Sequence, residues 1–174
     1  YNLELLEAIG IKEKDIAPSL KISDEDSDYL ENLFGGYNMD WDKKIVILNT
    51  GTSNPAKQWP IENFTELTRR LVSSGDFNIV LIGDRDERAV CNRIISEAGR
   101  SRVFNFSGLL TLRQLTALFK WADLMITNDN GSMHIAAAAN KRVIAIFGRN
   151  IPGVSPTRWG PYGKGHLVFH KDPG

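Results

Sequence analysis

One cysteine, Cys91, is all that the 174 residues contain, so no internal disulfide can form and a reducing compartment is expected. No apolar run exceeds the length of a strand, which leaves nothing to span a membrane as a helix. Neither sign of charge is in excess. The 21 Lys and Arg balance 21 Asp and Glu, whereas a general nucleic-acid binder needs a basic footprint. The spacing G-x-x-x-x-G-K-[ST] is missing, which excludes a Walker phosphate loop, and so is the nucleophile elbow G-x-S-x-G. No charged leader or secretory segment opens the chain, and residue 1 is Tyr. The chain is therefore expected to begin part-way through a longer protein.

What is present is ordinary globular composition, 42% hydrophobic and 24% charged, enough for one domain with a real core. The charge is unevenly placed. Residues 1–42 hold eleven acids against three lysines, and residues 141–174 hold six basic groups against Asp172 alone. Two differently solvated surfaces, or a basic rim facing an anion, both account for that asymmetry.

Residues 2–9 read as a short helix closed by Gly10, and Ser23 followed by three acids marks a helix start ending near Gly35. Residues 1–42 are expected to be a connector and lead-in helix, not a core element. From Lys43 a regular alternation begins. Strands are predicted at 44–49, 77–83, 102–106, 123–128, 142–147 and in "HLVFH", His166 to His170. Between them lie helices at 61–74, with Gly75 as its stop, at 84–99 with acids in its first turn, from Thr111 to Ala122, and at 131–139. Strands apolar on both faces, separated by helices, describe a doubly wound parallel sheet over 43–174.

In such sheets ligands bind outside the carboxyl ends of the strands. The loop after the first strand offers Thr50, Thr52, Ser53 and Lys57, either a phosphate cradle or an ordinary polar turn around a packing Trp59. Asp84-x-Asp86 invites a metal, but no further carboxylates cluster nearby and acids suit a helix start, so none is expected. The densest signal is Asn128-Asp129-Asn130-Gly131-Ser132, with His134 and four alanines behind it. Asp129 or Asn130 can cap the following helix, whose N-terminal amides attract a diphosphate, and Gly131 leaves room for it. The alanines let that helix press against the sheet. Cys91 lacks the neighbours of a nucleophile, His166 and His170 read as structural, and Arg158 and Lys164 face either an anion or water.

"KQWPIENFTELTRRL", "VLIGDRDE", "FNFSGLLTLRQLTALFKWADLMITNDNGSMHIAAA" and "VIAIFG" together resemble the lipopolysaccharide heptosyltransferase family, glycosyltransferase family nine, over about residues 43–170. The resemblance implies the C-terminal, donor-binding half of a two-domain B-type glycosyltransferase, with a Rossmann-like fold. It implies an inverting transfer of heptose from ADP-heptose to the lipopolysaccharide inner core, with no metal or other cofactor. By the same resemblance, Thr52 and Ser53 bond the donor's diphosphate and Lys57 neutralises it. Glu87 reaches the ribose, Asp129 holds sugar hydroxyls, and Asn130, Gly131 and His134 surround the phosphates. Asn130 stands where Ser or Thr is commoner in the family. The general base is expected in the N-terminal domain, so this chain would bind donor without turnover. The acceptor would be lipid-linked and the enzyme cytoplasmic, at the inner face of a membrane. Two other readings stay open: a non-catalytic nucleotide-sugar-binding module, and a B-type nucleotide-sugar epimerase.

Overall fold

The computed structural model describes residues 4–12, 18–37, 39–148 and 155–170. The start of the predicted first helix at Asn2, the loop residue Arg149 and the tail residue Lys171 lie outside them. Six strands, all parallel, run β1 (Lys44–Asn49), β2 (Phe77–Ile82), β3 (Val103–Asn105), β4 (Leu124–Asn128), β5 (Arg142–Phe147) and β6 (Leu167–His170). Their order across the sheet is β3-β2-β1-β4-β5-β6. The direction of winding reverses between β1 and β4. This is the doubly wound Rossmann-like sheet expected from the alternation.

Alternation within the strands divides the core in two. Ile45 and Ile47 of β1 face one layer, together with Val80, Met125, Val143 and Ala145. Val46 and Leu48 face the other, with Ile79, Leu81 and Ile126. Helices α3 (Ile61–Ser74) and α4 (Arg88–Ala98) cover the second face through Phe64, Cys91 and Ile94. Helices α2 (Asp24–Gly35), α5 (Leu112–Leu118) and α6 (Gly131–Ala138) cover the first. Two single-turn helices, α1 (Glu4–Glu7) and α7 (Pro156–Trp159), are the others among the described residues. Among the described residues, no helix is long and apolar enough to cross a membrane.

Within residues 1–42, α2 is not simply a flank. Ser23 caps α2, accepting from the Asp26 amide at 3.2 Å, as its sequence suggested. Yet α2 buries Leu30 and Phe34 completely, and Met39 follows them into the core. The Phe34 ring lies 5.7 Å from Phe106 and 5.5 Å from Trp121. The Tyr29 hydroxyl donates to the Leu109 carbonyl at 2.8 Å, and Arg113 pairs with Asp26 at 3.0 Å. Leu30, Leu33 and Phe34 sit at helical spacing, but the surrounding acids disguise that stripe in the sequence.

A second correction concerns α4. It starts at Arg88, not at residue 84, and no acid stands in its first turn. Asp84 Oδ1 instead accepts from the amides of Asp86 and Glu87, at 2.9 and 3.1 Å, closing a side-chain turn ahead of the helix. α5 also ends short of Ala122, after a capping box between Thr111 and Gln114.

If α2 belongs to the core, Phe34→Ala should cost about 3–5 kcal/mol of unfolding free energy in a urea titration. A loss below about 1 kcal/mol would return α2 to the periphery.

Candidate functional site

The carboxyl ends of β1 and β4 lie side by side at the reversal point, and each strand ends on a buried asparagine. Asn49 Oδ1 accepts from the Gly51 amide at 2.8 Å, and its Nδ2 donates to Ser132 Oγ at 2.8 Å. Asn128, wholly buried, donates from Nδ2 to the Thr50 carbonyl at 2.7 Å and accepts from the Trp59 amide at 2.9 Å. Between Thr50 and Trp59 the loop makes a short 3-10 turn, Pro55–Lys57, capped by Asn54. Trp59 stacks edge-on against Phe64 at 4.8 Å, as expected of a packing anchor.

Lys57 Nζ lies 2.7 Å from Asp129 Oδ2, and Asp129 is 8% exposed. The two residues expected to bind different parts of a donor, phosphate and sugar, are thus bound to each other. Gly148, after β5, lies so close that a Cβ there would sit 2.9 Å from the Lys57 backbone, which only a glycine allows.

Asn130, not Asp129, caps α6. It accepts from the Met133 amide at 3.3 Å and from Ser132 Oγ at 2.7 Å, while donating to the Gly51 carbonyl at 2.8 Å. Nothing lies within 4 Å of the place where Gly131 would carry a Cβ, so this end of α6 is open. Ala136 and Ala137 are buried against the sheet. His134 is exposed on α6, about one helical turn after Gly131.

Glu87 occupies the space left by two glycines. A Cβ on either Gly51 or Gly83 would overlap its carboxylate. One oxygen accepts from the Asp84 amide at 2.8 Å. Burial raises the Glu87 carboxyl above its ordinary range; the Asp84 amide opposes that rise and the Asp84 charge adds to it.

Two cavities meet at Glu87. A polar cleft of about 290 Å³ is bounded by Thr52, Ser53 and Gly51 on one side and Asn130, Gly131 and Ser132 on the other. A second cavity of about 230 Å³ is walled by Ile82, Phe106, Leu110, Leu112 and Leu115. Asn49, Asp84, Glu87 and Ser132 line both. The apolar slot and the roles of Asn49, Asn128 and Ser132 were not among the expected site features. Asparagine at the last position of both "KIVILN" and "DLMITN" was the available signal.

The remaining candidates lie elsewhere. Burial pushes the Cys91 thiol up, with the Ser107 and Thr50 hydroxyls against it, which suits an inert core residue. His166 Nε2 lies 3.0 Å from the Tyr162 carbonyl, and His170 stands on the exposed strand β6. Arg158 packs over the Trp159 ring at 5.2 Å, and neither it nor Lys164 lines the cleft. Among the described residues, no group of three or more His, Cys, Asp and Glu could hold a metal ion.

A carboxyl whose folded pKa is raised contributes stability that is complete below the unfolded value and is lost as pH rises through the folded one. Glu87→Gln should therefore raise the melting temperature near neutrality, and that gain should shrink toward about pH 4. A gain independent of pH would remove the desolvation argument.

Residues 2–172 match glycosyltransferase family 9 (heptosyltransferase), a span that takes in α2 as well as the sheet. Lipopolysaccharide heptosyltransferase 2 of Escherichia coli K12 is 28% identical over 143 residues, 80% of this chain and 40% of that relative. Among solved structures, a family 9 glycosyl transferase from Veillonella parvula covers 99% of this chain at TM-score 0.86 and 20% identity. E. coli heptosyltransferase WaaC with ADP covers 78% of it, at TM-score 0.65 and 26% identity. The chain spans 48% and 40% of those two structures. With the match running across nearly its whole length, the chain belongs to glycosyltransferase family 9, the heptosyltransferases.

Proposed function

We propose that this chain is the donor-binding domain of a heptosyltransferase of lipopolysaccharide core synthesis, and that its donor is ADP-heptose. The observation that carries this reading is the meeting of an apolar slot and a polar cleft at Glu87. A nucleoside diphosphate has the same division. Its base suits the slot of Phe106, Leu110 and Leu115, its ribose hydroxyls suit the Glu87 carboxylate, and its diphosphate suits the open start of α6. Adenine as the base is supported by the related heptosyltransferase solved with ADP.

Transfer breaks the bond between the sugar's anomeric carbon and a diphosphate oxygen while an acceptor hydroxyl attacks from the opposite face. Configuration inverts, and negative charge grows on the departing diphosphate. The free amides at the α6 N-terminus and the Thr52 and Ser53 hydroxyls stabilise that charge where they stand, and Lys57 adds to it by a shift of its ammonium. Lys57 starts in its pair with Asp129, so the diphosphate draws the ammonium into a shared arrangement and leaves Asp129 an acceptor for sugar hydroxyls. His134, exposed about a turn into α6, is a further group on the phosphate side of this reading. The attacking hydroxyl needs a general base, which we assign to an N-terminal acceptor domain. Residues ahead of Ser23 would lead in from that domain, and the whole enzyme would act on a lipid-linked acceptor at the cytoplasmic face of a membrane. Relatives more than twice the length of their matched part support this division.

Calorimetric titration of the chain with ADP, UDP, GDP and CDP, without and with Mg²⁺, tests the reading. Selective, metal-independent ADP binding is expected, with no sugar transfer from ADP-heptose. Tight UDP binding in its place would move the donor to another nucleotide sugar. Lys57→Ala should weaken ADP roughly ten- to a hundredfold, as for a lost charge-assisted bond, and leave adenosine nearly unchanged. Equal losses for both ligands would refute the phosphate role.

A further inference from the structure

The residues that close β4 and open α6 each grip the loop that follows β1, at different points. Asn128 holds Thr50 and Trp59, Asp129 holds Lys57, and Asn130 holds Gly51. Asn130 also lines the candidate ligand cleft, whereas Asn128 is wholly buried and lines neither cavity. We propose that Asn128 is the positioning residue of the diphosphate site, setting the separation between Thr52 and Ser53 at one end of the loop and Lys57 at the other. The proposal rests on the donor-site reading above.

The chemistry of the position demands a carboxamide. Thr50 presents a carbonyl and needs a donor, while Trp59 presents an amide and needs an acceptor. Asn supplies both from one short, planar group. Asp has the same shape but no hydrogen to give, and it would set a carboxylate oxygen against the Thr50 carbonyl. Because the residue is sealed from water, a lost partner is not replaced by solvent, and the loop ends separate or distort. Gln58 Nε2 also reaches the Thr50 carbonyl, at 3.3 Å, but it is exposed and reaches only that end of the loop. Asn128 is the described side chain that bonds both ends. It acts through the loop and touches no ligand itself.

The test compares ADP with adenosine, since only ADP uses the loop. In Asn128→Asp the Kd for ADP should rise about tenfold or more, while that for adenosine changes by less than about threefold. Asn128→Ala, which removes both bonds without burying a charge, should give the same change in ratio if the Asp variant does not fold. Amide hydrogen exchange should quicken at residues 51–59 and stay as in the wild type in the helices. A folded variant whose ADP to adenosine ratio matches the wild type overturns the proposal. If the wild-type chain binds neither ligand, the donor-site reading fails. Faster exchange confined to residues 51–59 would then still support the positioning role, and unchanged exchange there would overturn it.

Discussion

The neighbouring of β1 and β4 is the constraint on which the site depends. Right-handed crossovers send the chain from β1 toward β2 on one face and from β4 toward β5 on the other. Their outgoing loops therefore part, and the two strand ends are left with backbone groups that no further strand can satisfy. Asparagine solves the problem at both ends, since it carries donor and acceptor on one short arm. Asn49 ties its own loop to α6, and Asn128 ties β4 to the loop of β1. The cleft exists because the two loops part, and it holds its shape because the asparagines link them.

The charges follow from that geometry. Lys57 and Asp129 come from loops on the two sides of the parting, and a 2.7 Å ion pair joins them across it. With Asp129 almost buried, an unpaired carboxylate there would be costly, so the ligand-free protein keeps the cation in place. The same pairing offsets part of the attraction that Lys57 offers a diphosphate. In the donor-site reading, affinity for the phosphates would then come largely from the amides and hydroxyls around Gly131, Thr52 and Ser53, which face Asp84 and Glu87 across the same cleft. Glu87 follows a similar logic. It is kept between Gly51 and Gly83 at the cost of a raised pKa, a cost a structural residue could avoid by being Gln.

Most of the sheet was legible in the sequence because its strands are β-branched runs of strand length, bounded by polar residues and glycine. The edge strand "HLVFH" was readable on the same grounds, although all four residues of β6 stand exposed. α2 was misjudged because composition outweighed phase: eleven acids in residues 1–42 drew attention from three apolar residues at helical spacing. The early start given to α4 failed because Asp84 spends its carboxylate on a turn, and no propensity reveals which amides an aspartate will choose. Thr52, Ser53, Glu87, Asn130 and Gly131, which the family resemblance had grouped, line one cleft. Lys57 and Asp129 come together in a pair that no linear motif announces. Asn128 stood in the densest motif, but its linking role stayed hidden, because that role depends on burial and burial is a property of the fold.

Glycine positions give a further test of how closely fold and site are built together. At Gly51 and Gly83 the missing side chain makes room for the Glu87 carboxylate, and at Gly148 it makes room for the backbone of Lys57. Gly131 differs, since its absent Cβ faces nothing in the protein. In the donor-site reading, this open start of a helix between two loops held by asparagines is where the diphosphate would approach. The first three glycines shape the protein's own packing, and the fourth borders open space. Gly51 and Gly131 thus stand on the two facing sides of one cleft, the first filled by the protein's own carboxylate and the second open.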